Sequence, residues 1–488
     1  FEDVMSVIEA EQAAGQVVGV IVSLGGQTPL KLANALPREL VLGTSPDSID
    51  LAEDRDRWNA LCARLEIPQP AGGTATDLAG AQAIVDRIGY PALVRPSYVL
   101  GGRAMEIVYD DQGLGSAMET LSGLAGLGRE GGLSASRPVL IDRFLEDATE
   151  VDVDAIRDST GEVLIGGVME HVEEAGVHSG DSACVLPPVT LGAGTVAVIT
   201  DYVRRLATSL EVDGLINVQF AVKRTGEAPD AAQVFVIEAN PRASRTVPFV
   251  AKATGVPLVK IASRVMCGAT LEQLRVEGLL QPPVDGDHVS VKEAVLPFNR
   301  FPDADAVLGP EMRSTGEVMG IDLTFGLAFA KSQLAAGDHM PTEGCVFMSL
   351  ADRDKPTGLR AAQRFSELGF EIVATTGTAE FFSEAGLGVA QVVDKLGEGD
   401  NDAVKLLEAG RIQLVVNTPR GRGPRSDGAY IRSAAGLNRV PLLTTAAVPR
   451  SPAVPLVKVA SLPPTAPTRT KIPLGMVIVP LIELAAAK

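Results

Sequence analysis

Residues 215–223 read LINVQFAVK and residues 234–245 read VFVIEANPRASR. In the first run Ile216, Val218, Phe220 and Val222 alternate with Asn217, Gln219 and Lys223. Successive side chains of a strand point to opposite faces, so this period of two predicts a half-buried strand. In the second run the same rule predicts Phe235, Ile237 and Ala239 on one face, and Glu238 and Asn240 on the other. A hairpin of the two strands then gathers Gln219, Glu238 and Asn240 on one surface. All three offer hard oxygen ligands. Magnesium takes a few such ligands from protein and completes its shell with phosphate and water. Pro241 ends the strand, and Arg242 and Arg245 follow it. Two guanidiniums beside a carboxylate–amide metal set suit phosphoryl transfer, in which charge on the transferring oxygens must be offset.

Outward from this pair, residues 70–270 read as α+β. Strands are predicted at 92–95, 104–109, 139–144, 151–157 and 163–169, and helices at 79–88 and 196–210. Residues 1–50 read as helix, strand, loop, helix, strand, half of a doubly wound α/β unit. Residues 247–280 read as helical. Within 290–340 a helix is predicted at 323–334. From Gly344 a new α/β pattern starts, with strands at 346–350, 371–374 and 412–417 and helices at 358–368, 378–385 and 427–435.

Four other stretches carry polar groups suited to chemistry. RPSYVLGGR (95–103) places Arg95 at a strand end, where it suits a phosphate oxygen, before a loop whose glycines let backbone N–H groups approach phosphates. It is not a GxxxxGK[ST] loop. DRFLEDATEVDVD (142–154) puts Glu150, Asp152 and Asp154 on one strand face, either to accept from ribose hydroxyls or as an exposed acidic face. GVHSGDS (176–182) suits a loop closing over a ligand. TTGTA (375–379) sits at a strand-to-helix junction, where free N–H groups attract anions; N-capping by Thr376 or Thr378 is the plainer reading.

The chain has 488 residues, 43 Lys+Arg and 61 Asp+Glu, for a net charge of −18. That length suggests about three domains. At 46% apolar residues it is no disordered acidic tail. The charge argues against a nucleic-acid or anionic-membrane surface, both of which want a basic face. Cys62, Cys184, Cys267 and Cys345 are scattered without a CxxC pair, so reduced thiols and no zinc site are expected. The apolar stretch 472–487 is broken by Pro473, Pro480 and Glu483 and is too short to span a bilayer. A cytoplasmic protein is expected. A helix-like pattern (Val4, Val7, Ile8) runs from Phe1, which reads as a fragment of a longer chain.

RPSYVLGGRAMEIVYD, EVDVDAI, EHVEEAGVHSGDSAC, NVQFAVK, IEANPRASRTVPF and LGPEMRSTGEVMG together resemble the carboxy-terminal half of the carbamoyl-phosphate synthetase large chain. The likeness covers about residues 1–445. It implies a partial pre-ATP-grasp α/β unit (1–46), an ATP-grasp domain (47–282), a helical connector (283–339) and a small doubly wound methylglyoxal-synthase-like regulatory domain (340–488). The implied activity is phosphorylation of carbamate by ATP, feeding arginine and pyrimidine biosynthesis. The implied partners are a glutaminase small chain and the amino-terminal synthetase half. By the same likeness Arg95, Arg143, Leu145, Glu150, Gly176, Val177, His178, Ser179, Gln219 and Glu238 line the ATP site, with Arg55 nearby. Gln219, Glu238 and Asn240 hold Mg²⁺ or Mn²⁺. Arg242, Arg245 and Glu238 serve the chemistry, and a potassium ion lies near Glu150, His171 and Ser182. Thr375, Thr378, Lys395 and Asn417 match positions for a nucleotide effector such as UMP or IMP. Thr376 stands where some relatives carry His, and after about Ala446 the prolines depart from the expected strand and helix. Other readings of the residues are a different ATP-grasp ligase, such as a biotin carboxylase, and a non-catalytic effector-binding fragment.

Overall fold

The computed structural model describes residues 1–96, 105–124, 138–226, 228, 230–281, 286–301, 306–338, 340–394, 396–397, 399, 401–418 and 427–444. The expected loop at 97–103, Lys395 and the proline-rich stretch after Ala446 lie outside the described residues. The chain forms two compact units, Phe1–His171 with Leu186–Gly286, and Val172–Val185 with Asp287–Lys488.

The first unit begins with the helix Glu2–Ala14 and a short parallel pair, Val20–Ile21 with Val41–Leu42. Ile8, Val22, Leu30, Leu36 and Ile49 form its small core. The helix Pro46–Glu53 starts where Ser45 accepts from Ser48 N–H with Pro46 inside the first turn, and Arg55–Arg64 starts on an Asp54 cap. Such side-chain oxygens satisfy donors that a helix start leaves free. Four strands follow in the order Gly72–Ala75, Val139–Arg143, Ala92–Pro96, Glu106–Val108, all antiparallel. The helix Leu78–Ile88 packs Ala81, Ile84 and Val85 against them.

The larger sheet of this unit runs in the order Ala232–Asn240, Gly214–Arg224, Ala148–Arg157, Val163–Glu174. Its apolar face carries Val151, Val153, Ile216, Val218, Phe220 and Val222. The helix Ala193–Ser209 covers that face with Ile199, Val203 and Leu206, spaced as one helical stripe. The predicted hairpin forms, and Ile216, Val218, Phe220 and Val222 are core as expected. The prediction for its second strand needs one correction. Val234, Val236 and Ala239 are core, whereas Phe235 and Ile237 are only partly buried. Gln219 pairs with Glu238 but Phe220 pairs with Val236, so Ile237 is an extra residue, a β-bulge. The bulge reverses the inward–outward parity along the strand.

In the second unit the antiparallel strands Val289–Val295 and Gly316–Asp322 pack with the helix Phe325–Ala336. The connector is therefore not simply helical. Ser290, Val291, Lys292, Glu293 and Ala294 are all buried, so this strand shows no alternation in sequence. Next comes an all-parallel sheet in the order Gln391–Val393, Glu371–Thr375, Cys345–Ser349, Leu414–Asn417, Leu442–Leu443. Chain order is 3-2-1-4-5, so the strand order reverses between Cys345–Ser349 and Leu414–Asn417. That reversal opens a crevice at the strand carboxyl ends. One core, with Val346, Met348 and Ile372, lies on one face, and another, with Phe347, Val373 and Val415, on the other. Such two-sided burial is usual for parallel sheets. Cys62, Cys184 and Cys345 are buried and Cys267 exposed, all as free thiols. Among the described residues no helix is long and apolar enough to cross a membrane.

Candidate active site

The polar face of the larger sheet is assembled by register. Gln219 stands between Asp152 on one neighbouring strand and Glu238 on the other, and Asn217 stands between Asp154 and Asn240. Asn240 Nδ2 donates to Glu238 Oε1 at 2.8 Å. Arg242 donates to Asn240 Oδ1 at 3.0 Å and to the Ala243 carbonyl at 3.1 Å. Gln219, Glu238, Asn240 and Arg242 are thus brought together as the sequence predicts. Arg245 is exposed and makes no side-chain hydrogen bond or ion pair among the described residues. The three donors are an all-oxygen set, the chemistry a divalent hard cation requires. Among the described residues the buried Nε atoms of Arg242 and Arg95 have no hydrogen-bond partner, leaving donors suited to an anion.

Behind these residues lies a buried polar network. Glu150, Asp152 and Asp154 do not form an exposed acidic face; they are 9%, 1% and 0% exposed. Asp152 Oδ2 lies 2.9 Å from His171 Nε2, and Asn217 Nδ2 donates to both Asp152 and Asp154 at 3.1 and 3.0 Å. Burial pushes the Asp152 carboxyl up, but His171, Asn217 and Gln219 more than offset this, so it sits below its ordinary range. Among the described residues Asp154 has only neutral donors, and burial, aided by the Asp152 charge, lifts it to about 6. Ligand atoms of Glu150, Asp152 and His171 all lie within 4.8 Å of one another, close enough to share a cation.

At the smaller sheet, Asp142 is flanked by Arg55 and, at 3.1 Å, by Arg95. Burial draws the Arg55 guanidinium below its ordinary value, against the pull of Asp142. The sequence reading named both arginines but not the carboxylate that joins them. Gly72 is required opposite it, because a β-carbon there would stand 2.1 Å from Asp142 Oδ1. Arg143 donates to the Tyr90 carbonyl, and Leu145 is half-buried just beyond the strand end.

Gly176, Val177, His178, Ser179 and Ser182 belong to the second unit. Gly176 has φ +100°. His178 N–H donates to the Gly309 carbonyl at 2.8 Å, and Asp181 accepts from Arg313 and Ser314 N–H at 2.7 and 2.8 Å. Lys292, 1% exposed, donates to the Ser179 carbonyl at 2.8 Å. The 176–182 segment is therefore tied to the 309–314 segment, a link the sequence does not reveal.

In the parallel sheet, Thr375 and Asn417 both end strands. Thr375 is the N-cap residue of the helix Thr376–Glu384, in place of Thr376 or Thr378, and makes no side-chain cap bond. Thr378 is buried and its hydroxyl accepts from Leu350 N–H at 3.1 Å. Asn417 Oδ1 accepts from the buried Arg432 at 2.7 Å. Lys355 Nζ lies 3.5 Å from where a Gly377 β-carbon would stand, adding a cation at this helix start that sequence spacing does not suggest.

Residues 54–274 match the family model for the carbamoyl-phosphate synthase L chain, ATP binding domain, and residues 358–444 match the MGS-like domain. The chain belongs to the carbamoyl-phosphate synthase large-chain family. It is 51% identical over 456 residues to the carbamoyl phosphate synthase large chain of Acidobacterium capsulatum, covering 93% of this chain and 40% of that protein. It is 51% identical over 468 residues to the large chain of Mycobacterium tuberculosis (91% and 40%) and 52% identical over 446 residues to that of Gemmatimonas aurantiaca (91% and 38%). The chain thus spans about two fifths of the length of these relatives. Among solved structures, the biotin carboxylase domain of the Hydrogenobacter thermophilus 2-oxoglutarate carboxylase with MgADP is 19% identical, with a TM-score of 0.48, covering 59% of this chain and 60% of that chain. The fold is ATP-grasp followed by an MGS-like domain. A carbamoyl-phosphate synthase domain of this class takes ATP with a divalent metal.

Proposed function

We propose that this chain phosphorylates carbamate with ATP to give carbamoyl phosphate and ADP, as the second synthetase half of carbamoyl-phosphate synthase. The observation that carries this reading is the gathering of Gln219, Glu238 and Asn240 on one sheet face, with Arg242 bonded to Asn240. A carbamate oxygen attacks the γ-phosphorus in line; its O–P bond forms as the bond to ADP breaks. Carbamate is already an anion, so no proton has to be removed. Gln219, Glu238 and Asn240 hold Mg²⁺ or Mn²⁺, which when bound offsets the negative charge of the phosphate oxygens. Arg95, Arg242 and Arg245 add positive charge around the transferring group. Arg143, Leu145 and Glu150 line the nucleotide, joined by Gly176, Val177, His178 and Ser179. Glu150 and His171, with Asp152 beside them, hold potassium, to which Ser182 contributes in the family pattern.

Carbamate comes from the amino-terminal synthetase half, with ammonia from the glutaminase small chain, and the product serves arginine and pyrimidine biosynthesis. UMP or IMP binds the regulatory domain through Thr375, Thr378, Lys395 and Asn417. The strand-order reversal beside Asn417 supports that second role.

The purified chain should make ATP from carbamoyl phosphate and MgADP. Glu238→Ala should lower that rate about a thousandfold, by analogy with electrostatic groups worth ~3–4 kcal/mol. Wild-type turnover in the variant would refute the metal assignment, and ADP release with bicarbonate and biotin but not carbamate would refute the substrate.

A further inference from the structure

We propose that Asp154 is a positioning residue for Arg245, acting by clamping the residues on either side of it. This rests on the phosphoryl-transfer reading above. Asp154 is fully buried, at 0% exposure. Its Oδ1 accepts from Ser244 Oγ at 2.7 Å and its Oδ2 from Thr246 Oγ1 at 2.8 Å. One carboxylate thus grips both sequence neighbours of Arg245. Ser244 Oγ also accepts from the N–H groups of Thr246 and Val247, each at 3.2 Å, where the helix Val247–Thr254 begins. On the other flank Ala243 N–H donates to the Ser23 carbonyl at 2.7 Å. With both neighbouring side chains turned into the sheet, Arg245 is left projecting outward, and it is exposed and free of side-chain partners among the described residues.

A structural helix start alone does not call for this arrangement. A hydroxyl can satisfy N–H groups at a helix start without any buried charge, and Ser244 already accepts from Thr246 and Val247 N–H. An ionised carboxylate with no cation against it is costly to bury. Among the described residues Asp154 is bonded only to Asn217, Ser244 and Thr246, all neutral. Asn217 ties the clamp to Asp152 and stands across from Asn240, so the arginine turn shares a rigid frame with the oxygen-donor face. A displacement of about 1 Å at a reacting centre can cost on the order of a hundredfold in rate. Holding Arg245 on this frame keeps its charge where the phosphoryl group passes.

The test is a double-mutant cycle of Asp154→Asn with Arg245→Ala in the full chain, read by ATP formation from carbamoyl phosphate and MgADP, together with amide hydrogen exchange over 241–247. Asp154→Asn should lower kcat about 10- to 100-fold, with the KM for ADP changed by less than about threefold and exchange over 241–247 accelerated. In the Arg245→Ala background it should lower kcat little further, because the residue it positions is gone. Ser244→Ala with Thr246→Val opens the clamp from its other side and should reproduce the coupling if Asp154→Asn folds poorly. Independent, multiplying losses, or exchange over 241–247 unchanged in a folded Asp154→Asn variant, would overturn the proposal. A wild-type chain that makes no ATP sinks the kinase reading instead, and the exchange comparison then decides the clamp by itself.

Discussion

In the first unit Asp142 lies between the guanidiniums of Arg55 and Arg95, and Asp152 lies against His171. In the second unit Glu293 meets the Gln333 amide at 2.6 Å, Lys292 meets backbone carbonyls, and Arg432 meets the Asn417 amide oxygen. Asp142 is set against charge, whereas these three groups of the second unit are set against neutral dipoles. The acids respond accordingly. Asp152 is held below its ordinary range, while burial and the nearby Glu173 push Glu293 to about 8 despite Lys292. The Asp142 carboxylate joins the side chains of Arg55 and Arg95. Glu293, raised chiefly by burial and by Glu173, keeps its proton at neutral pH and acts as a neutral packing group.

The largest effect expected from breaking this contrast is at Asp142. Asp142→Asn leaves two largely buried guanidiniums without their anion and should cost about 2–4 kcal/mol of stability, with a raised KM for ADP. Urea denaturation checks the first and initial-rate kinetics the second; a variant as stable as the wild type would show that the two arginines need no shared anion. Next comes Glu293. Its folded pKa of about 8 lies above the ordinary 4.5. The folded chain therefore keeps a proton that the unfolded chain loses, and stability should fall as pH rises from about 4.5 to about 8. Glu293→Gln removes that pH dependence, so its stability relative to the wild type should rise across this window. Parallel melting curves at pH 5, 7 and 9 would contradict the assignment. Smallest is Asn417→Ala, which removes a neutral acceptor and should weaken UMP or IMP binding roughly tenfold. Calorimetry reads this directly, and unchanged affinity would remove Asn417 from the effector site.

The strands that matter most were legible because their apolar residues alternate. Ile216, Val218, Phe220 and Val222 read as one face and form one. The same rule misassigned Phe235 and Ile237. Local spacing counts residues, whereas the bulge at Ile237 is defined only against the partner strand. Glu238 and Asn240 were nevertheless placed beside Gln219, since the parity reversal occurs before them. The strand Val289–Val295 was missed because burial on both faces erases the period. The acids at 150–154 were open to two readings, since alternation shows a shared face but not what covers it.

The residue types of the candidate site are written in the chain itself. Oxygen donors at Gln219, Glu238 and Asn240 and arginines at 242 and 245 are choices of residue type, and residue type survives any fold. Which of them meet was decided by pairing across strands far apart in sequence. Asp142 joining Arg55 to Arg95, Asp154 gripping both neighbours of Arg245, and Lys292 holding the Ser179 carbonyl span 47 to 113 residues of chain. Such contacts obey no local period, because hydrogen-bond partners of buried groups are selected by the closed geometry of the fold rather than by distance along the backbone.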